Sequence, residues 1–156
     1  MSRSYKQELE LVQKEYEAAN FALSHIVVFW NTAVIINEAQ GRSREDFRRA
    51  VVHLEVTYII RLFATFEGFL KQYLATHHKE VKLPRQPEKM KVGWFIDRVA
   101  LLQSPHISEN LKNGIYDVRA CRNDLMHSGR AVSPIISFED ARTNLAKYLD
   151  KLPHPL

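Results

Sequence analysis

Apolar residues recur along the chain at intervals of three or four, in long stretches that few breaking residues interrupt. The five glycines and six prolines fall between these stretches, a spacing that favours helices joined by short connections. Asn113-Gly114 is the one Asn-Gly pair, and no alternating apolar pattern flanks it as a β-hairpin would require. The pattern therefore predicts an all-α fold, a bundle of about five helices.

The first predicted helix covers residues 4–39 and stops before Gly41, a residue type that is common just past a helix end. Its regular apolar face carries Leu9, Val12, Tyr16, Ala19, Leu23, Ile26, Trp30 and Val34. From Phe21 onward apolar residues spread around the helix, so that more than one side needs cover. A second copy of the chain is one source of that cover.

Four further helices are predicted. Ser43, with Asp46 three residues later, caps a helix over residues 44–78. Pro84 and Pro87 lie beyond its end, because neither is tolerated inside a helix. The other three helices cover residues 89–102, 108–126 and 138–149. The chain thus reads as a single domain over residues 1–156, with two long helices before three shorter ones.

Composition excludes several classes of protein. The chain is 46% apolar and 26% charged, which is ordinary for a globular protein and unlike a disordered or membrane protein. Its one cysteine, Cys121, leaves no disulfide within the chain and is interpreted as a small packing residue. The charged N-terminus differs from a signal peptide, and residues 21–36 are too short and polar for a membrane span. These features predict a cytoplasmic protein without membrane contact.

The net charge of +4 is compatible with a polyanionic partner. The most basic stretch holds Lys79, Lys82, Arg85, Lys89, Lys91 and Arg98. Two interpretations remain open for it, a solvated face and a surface that contacts phosphates.

Histidines outside the fourth helix do not predict a metal site. His77, His78 and His106 lack metal-ligand spacing and are interpreted as surface residues. His25 and His53 fall inside predicted helices, where packing or hydrogen bonding is the expected role. No metal and no cofactor is expected.

The most informative segment closes the fourth helix, where Arg122, Asn123, Asp124 and His127 crowd together. Asn123 and His127 are one turn apart on one face, and Asp124 is also a neighbour of His127. Arg122 lies about 140° from His127 around the helix, because each residue advances about 100°. The two side chains can meet at one phosphate if the helix end frays, or if a second copy completes the site.

Arg122-Asn123-x-x-x-His127 resembles the motif of the HEPN superfamily, in which an arginine, often followed by a polar residue, precedes a histidine late in a helical bundle. The segment over residues 61–70 is similar to the second-helix pattern of the HEPN proteins grouped as RiboL-PSP-HEPN or MAE_28990-like. The resemblance implies a metal-independent endoribonuclease that cleaves single-stranded RNA. Many members of the superfamily use the ribose 2′-hydroxyl as nucleophile and leave a 2′,3′-cyclic phosphate and a 5′-hydroxyl, and the resemblance implies the same reaction here.

The residue types suit this reaction. His127 can exchange protons near neutral pH, and Arg122 offers a fork of donors to a phosphate that gains charge. Asn123 can orient the phosphate or cap the helix end. Among the supporting candidates, Asp124 can hold the imidazole and Glu67 can pair with Arg122 from the neighbouring helix. Arg119 belongs to the same polar cluster.

The composite site predicts a homodimer, with RNA as the other partner. The resemblance further implies a role in bacterial defence, as a toxin or an abortive-infection effector, with an antitoxin or regulatory protein as a further partner. Two alternatives remain open. One is a non-catalytic HEPN module for dimerisation or interaction, and the other is a nucleotide-binding domain in which Arg122 and the basic stretch hold phosphates.

Overall fold

A computed structural model describes residues 4–32, 41–78, 91–103, 106–127 and 136–153, with the backbone alone of His127. Within these ranges there are five helices and no strand. They are α1 (Tyr5–Val28), α2 (Arg44–His77), α3 (Val92–Leu102), α4 (Glu109–His127) and α5 (Phe138–Leu149). The predicted all-α bundle of about five helices is confirmed.

Serine side chains fix the start of four helices. Ser4, Ser43, Ser108 and Ser137 each directly precede a helix, and each hydroxyl accepts a hydrogen bond from the backbone N–H three residues later. At α2 the cap is reciprocal, because the Asp46 carboxylate accepts from the Ser43 N–H at 2.7 Å. The predicted cap of α2 is therefore confirmed.

The first helix is shorter than the sequence pattern predicts. It ends at Val28, and residues 29–32 form turns and a bend. The Thr32 N–H donates to the Phe29 carbonyl, and the Trp30 ring packs 5.5 Å from that of Phe47 on α2. These contacts turn the chain towards α2. The rest of the predicted helix, residues 33–39, lies outside the described residues.

The core is built around α2, which contacts each of the other four helices. Phe63 and Phe66 are fully buried there, and the Tyr148 ring of α5 meets the Phe66 ring edge-on at a centroid distance of 5.5 Å. Cys121 of α4 is buried and unpaired, in agreement with its predicted packing role. Aromatic rings from α2 and α5 thus fill the centre of the bundle.

Pairs of contacts give the directions of two helices. The Phe138 N–H, at the start of α5, donates to the Glu55 carboxylate of α2 at 3.0 Å, whereas Tyr148 reaches Phe66, so α5 runs parallel to α2. In α4, Lys112 reaches Asp97 of α3 and Tyr116 reaches Gly93, so α4 runs antiparallel to α3. Gly114 lies against the Asn144 side chain, so α4 also packs beside α5.

A buried hydroxyl joins α5 to α3. The Tyr148 O–H donates to the Ile96 carbonyl at 2.7 Å in the fully buried core, and burial raises the pKa of this phenol, which keeps it neutral. Replacing Tyr148 with phenylalanine should lower the free energy of unfolding by about 1 kcal/mol, the usual net value of such a bond. Urea unfolding measures it. A variant as stable as the unaltered chain would contradict a stabilising role for this bond.

None of the five helices, over the ranges described, combines the length and the apolar content that crossing a bilayer needs.

Candidate functional site

The last turns of α4 present a core face and a polar face. Cys121 is buried and Leu125 packs against the core, one turn apart. Arg122 and Asn123 are half-buried, and Asp124 is exposed. The two apolar residues anchor the end of the helix and leave its polar residues at the surface of the bundle.

The guanidinium of Arg122 is held by its sequence neighbour. Its Nη1 donates to the Asn123 Oδ1 at 3.1 Å. Among the described residues no carboxylate forms an ion pair with Arg122. The arrangement leaves a positioned positive charge that can bind an anion.

Glu67 has a different partner from the predicted one. Its carboxylate lies 2.7 Å from the Lys71 ammonium, one turn further along α2. Lys71 also lies over the Phe95 ring of α3, 5.5 Å from its centroid. The structure therefore pairs Glu67 with Lys71 at the contact between α2 and α3, instead of with Arg122.

Arg119 lies in the groove between α3 and α4. Its guanidinium carbon is 5.6 Å from the Tyr116 ring centroid, and a Cβ at position 93 would lie 3.0 Å from its Nη1. Gly93 therefore gives this guanidinium the room to approach α3. The Arg119 Nε is buried without a hydrogen-bond partner among the described residues. Arg119 precedes Asn123 by one turn, so both lie on one face of α4.

Tyr116 and Gly93 line this groove, and the sequence reasoning missed both. The Tyr116 O–H donates to the Gly93 carbonyl at 3.3 Å. Burial, together with the Asp97 carboxylate, raises the pKa of Tyr116 to about 12, so the phenol stays protonated at neutral pH. The spacing of three between Tyr116 and Arg119 is the sequence signal that indicates their contact.

His127 is the last residue of α4. Its backbone position, one turn after Asn123 and three residues after Asp124, agrees with the predicted helix. Its side chain, like Ser128 and Gly129, lies outside the described residues. The meeting of Arg122 and His127 at one phosphate stays a prediction.

Most of the predicted basic stretch, residues 79–89, also lies outside the described residues. Lys91 is exposed before α3, and Arg98 is half-buried on α3 with a buried Nε that has no partner in the described part. The two interpretations of this stretch therefore both stay open.

The other histidines differ from expectation in part. His25 and His53 are exposed, although a place inside a helix suggested packing. The His25 ring lies between those of Phe21 and Phe29 on the outside of α1. His106 is exposed, as predicted. In the described ranges no group of three His, Cys, Asp or Glu side chains is placed to hold a metal ion.

Comparisons with known proteins returned no relative. No family model, no curated protein and no solved structure matches the chain. The resemblance to HEPN proteins therefore rests on the residues of this chain alone.

Proposed function

We propose that the chain is a metal-independent endoribonuclease of HEPN type that cleaves single-stranded RNA. One observation carries the proposal. The Arg122 guanidinium is held by Asn123 and pairs with no carboxylate of the described residues, on a helix whose last residue is His127. A phosphodiester is an anion that such a guanidinium binds through two parallel hydrogen bonds.

The proposed reaction uses the substrate's own hydroxyl. The 2′-oxygen attacks the adjacent phosphorus as His127 accepts the 2′-proton. The bond from phosphorus to the 5′-oxygen breaks, and that oxygen takes a proton, which gives a 2′,3′-cyclic phosphate and a 5′-hydroxyl. Arg122 stabilises the charge that gathers on the non-bridging oxygens.

Two copies of the chain complete this site in the proposal. Arg122 and His127 point about 140° apart around one straight helix, and a two-fold axis at the helix ends brings both pairs together. The second His127 then protonates the leaving 5′-oxygen. The biological setting that goes with this activity is a cytoplasmic toxin or abortive-infection effector in bacterial defence, held in check by an antitoxin or regulatory protein.

Cleavage of RNA in EDTA tests the proposal. Purified protein is incubated with a labelled single-stranded RNA, and the product ends are identified by mass spectrometry. We expect undiminished cleavage with cyclic-phosphate ends, and no cleavage where a 2′-deoxynucleotide replaces the nucleotide that carries the attacking hydroxyl. An intact RNA at high protein concentration, or cleavage of the deoxy-substituted strand, argues against the mechanism.

A non-catalytic interaction module is the second candidate. Three large apolar side chains in the second half of α1 and at its C-cap are exposed and favour this candidate, namely Phe21, Val28 and Phe29. This candidate predicts that binding to a partner survives the loss of His127. The RNA assay separates the two candidates, since the module leaves RNA intact.

A further inference from the structure

The outward face of α1 changes character halfway along the helix. In the first half it carries Glu10, Lys14 and Glu17, which are exposed. In the second half Phe21 is 73% exposed and Val28 is 68% exposed, and Phe29 at the C-cap is 47% exposed. The outward face of a surface helix is ordinarily polar. The apolar side chains in the second half of α1 are instead exposed to solvent, which indicates that another surface packs against them.

The exposed side chains form an ordered row. The ring of His25 lies 6.0 Å from that of Phe21 and 4.4 Å from that of Phe29. We call these three residues the aromatic row. They are spaced by four, so each ring sits one turn above the last. His25 is the midpoint in residue number, with one phenylalanine four residues to either side.

The aromatic row lies on a part of the molecule that projects from the core. No described residue between positions 13 and 58 is buried. The second half of α1 packs there against α2, with the Arg44 Nε donating to the Val27 carbonyl at 3.1 Å and Trp30 packed on Phe47. The second half of α1 and the first half of α2 form a two-helix arm. The contact between them leaves the aromatic row on the outer side of this arm.

Charge distinguishes the two sides of this arm. No Asp, Glu, Lys or Arg occurs from residue 18 to residue 37. The outward face of α2, by contrast, carries Arg48, Arg49 and Glu45, which are exposed and ion-paired. Depletion of charge and enrichment in aromatic residues are the marks of an interface centre. The α1 side of the arm carries both marks.

We propose that a second copy of the chain docks on this face, with the two α1 helices antiparallel and the two His25 side chains near the two-fold axis. Phe21 of one copy then packs against Phe29 of the other. A face that lacks charge forms no ion pair with an anionic membrane or a charged partner, whereas a row with one phenylalanine on either side of His25 presents a ring to each ring of an antiparallel copy. Two His25 side chains that face each other at the axis can share a hydrogen bond, which fixes the register.

The exposed apolar area on this face is of the order that a dimer interface needs. Phe21, Val28 and Phe29 together expose roughly 350 Å² per copy, given that a phenylalanine buries about 200 Å². Two copies supply roughly 700 Å² from these side chains, more than half of the ~1,200 Å² at the lower limit of a stable interface. Flanking side chains and backbone supply the remainder. The arm contact is argued from the residues of the arm and is distinct from the contact at the ends of α4 in the proposed nuclease. A chain that makes both contacts about separate axes forms assemblies larger than a dimer.

Sedimentation of the full chain tests whether the aromatic row is an interface between two copies. Phe21→Glu should weaken dimerisation by about 1,000-fold, because the symmetric interface contains the residue twice and one such loss typically costs about 30-fold. Leu101→Glu is the matched control, since Leu101 is 66% exposed on α3, and it should leave the dimer unchanged. A monomeric unaltered chain at 100 µM, or a Phe21→Glu variant with the same assembly size and affinity as the unaltered chain, would overturn the proposal.

Disulfide formation tests the register. His25→Cys should link two copies under mild oxidation, and a mixture of Phe21→Cys and Phe29→Cys chains should form the mixed disulfide. Lys14→Cys, three turns earlier on the same face, should not link, and the native Cys121 is buried. Failure of His25→Cys to link, or equal linking by Lys14→Cys, would contradict the antiparallel arrangement. Neither experiment involves RNA, so this surface and the nuclease can fail separately.

Discussion

Replacing His127 with alanine should reduce the rate of RNA cleavage by about 100- to 10,000-fold, the usual contribution of a positioned general acid or base. The physical reason is that His127 accepts the 2′-proton in the proposed mechanism, so its removal takes away the base of that step. The rate is measured under single-turnover conditions, with helix content checked by circular dichroism. His127 closes α4 at its last residue, so the fold should persist.

Two substitutions at Arg122 separate the contribution of its positive charge from that of its planar donor geometry. Arg122→Ala should lower the rate by about 100- to 1,000-fold, as for loss of a donor that stabilises a developing charge. Arg122→Lys keeps the charge but loses the planar fork and the bond to the Asn123 amide. We expect it to recover only a small part of the rate. If Arg122 and His127 act as a unit, the double variant should be hardly slower than either single one.

The chain offers matched controls for both changes. His106 is exposed just before α4, and Arg49 is an exposed, ion-paired arginine on α2. Alanine at either position should leave cleavage unchanged. Equal losses in the controls, or full cleavage by the variant without both Arg122 and His127, would remove these two residues from the reaction.

The helices could be predicted from sequence, but the depth of burial along them could not. Periodicity identifies the inward face of α1, where Leu9 and Val12 are buried. The same face continues to Leu23 and Ile26, which are only half-buried. A repeat of three and four specifies which side of a helix points inward. It does not specify how far the core extends, because that depends on where α3, α4 and α5 pack.

In the candidate site, too, the geometry of one helix could be predicted from sequence, whereas a contact between two helices could not. The spacing along α4 correctly placed Asn123 one turn before His127, since helix geometry alone decides it. The pair between Glu67 and Arg122 was predicted across two helices, where their relative rotation decides the outcome. Lys71, four residues after Glu67, forms the pair instead. A local partner with the right charge is a better prediction than a distant one, because the helix itself fixes the distance.

Substitution of Phe66 with alanine should have the largest effect on stability, a loss of about 3–5 kcal/mol. Phe66 is fully buried, meets Tyr148 edge-on and lies 5.9 Å from the Phe63 ring. Alanine leaves a cavity where α2 and α5 meet, in addition to the lost burial of the ring. A domain of this size has about 5–15 kcal/mol in total, so the variant should be close to unfolding at 37 °C. Urea unfolding at 25 °C measures the loss.

Two variants test whether the loss comes from the cavity. Phe66→Leu retains most of the volume and should lose less than Phe66→Ala. Phe69 lies on the same helix but is half-buried, with its edge on the Tyr5 ring at 6.0 Å. Phe69→Ala should therefore cost less than Phe66→Ala, because solvent already reaches part of its ring. If the two alanine variants were equally destabilised, the aromatic centre formed by Phe66 and Tyr148 would not be the part of the molecule that holds α2 and α5 together.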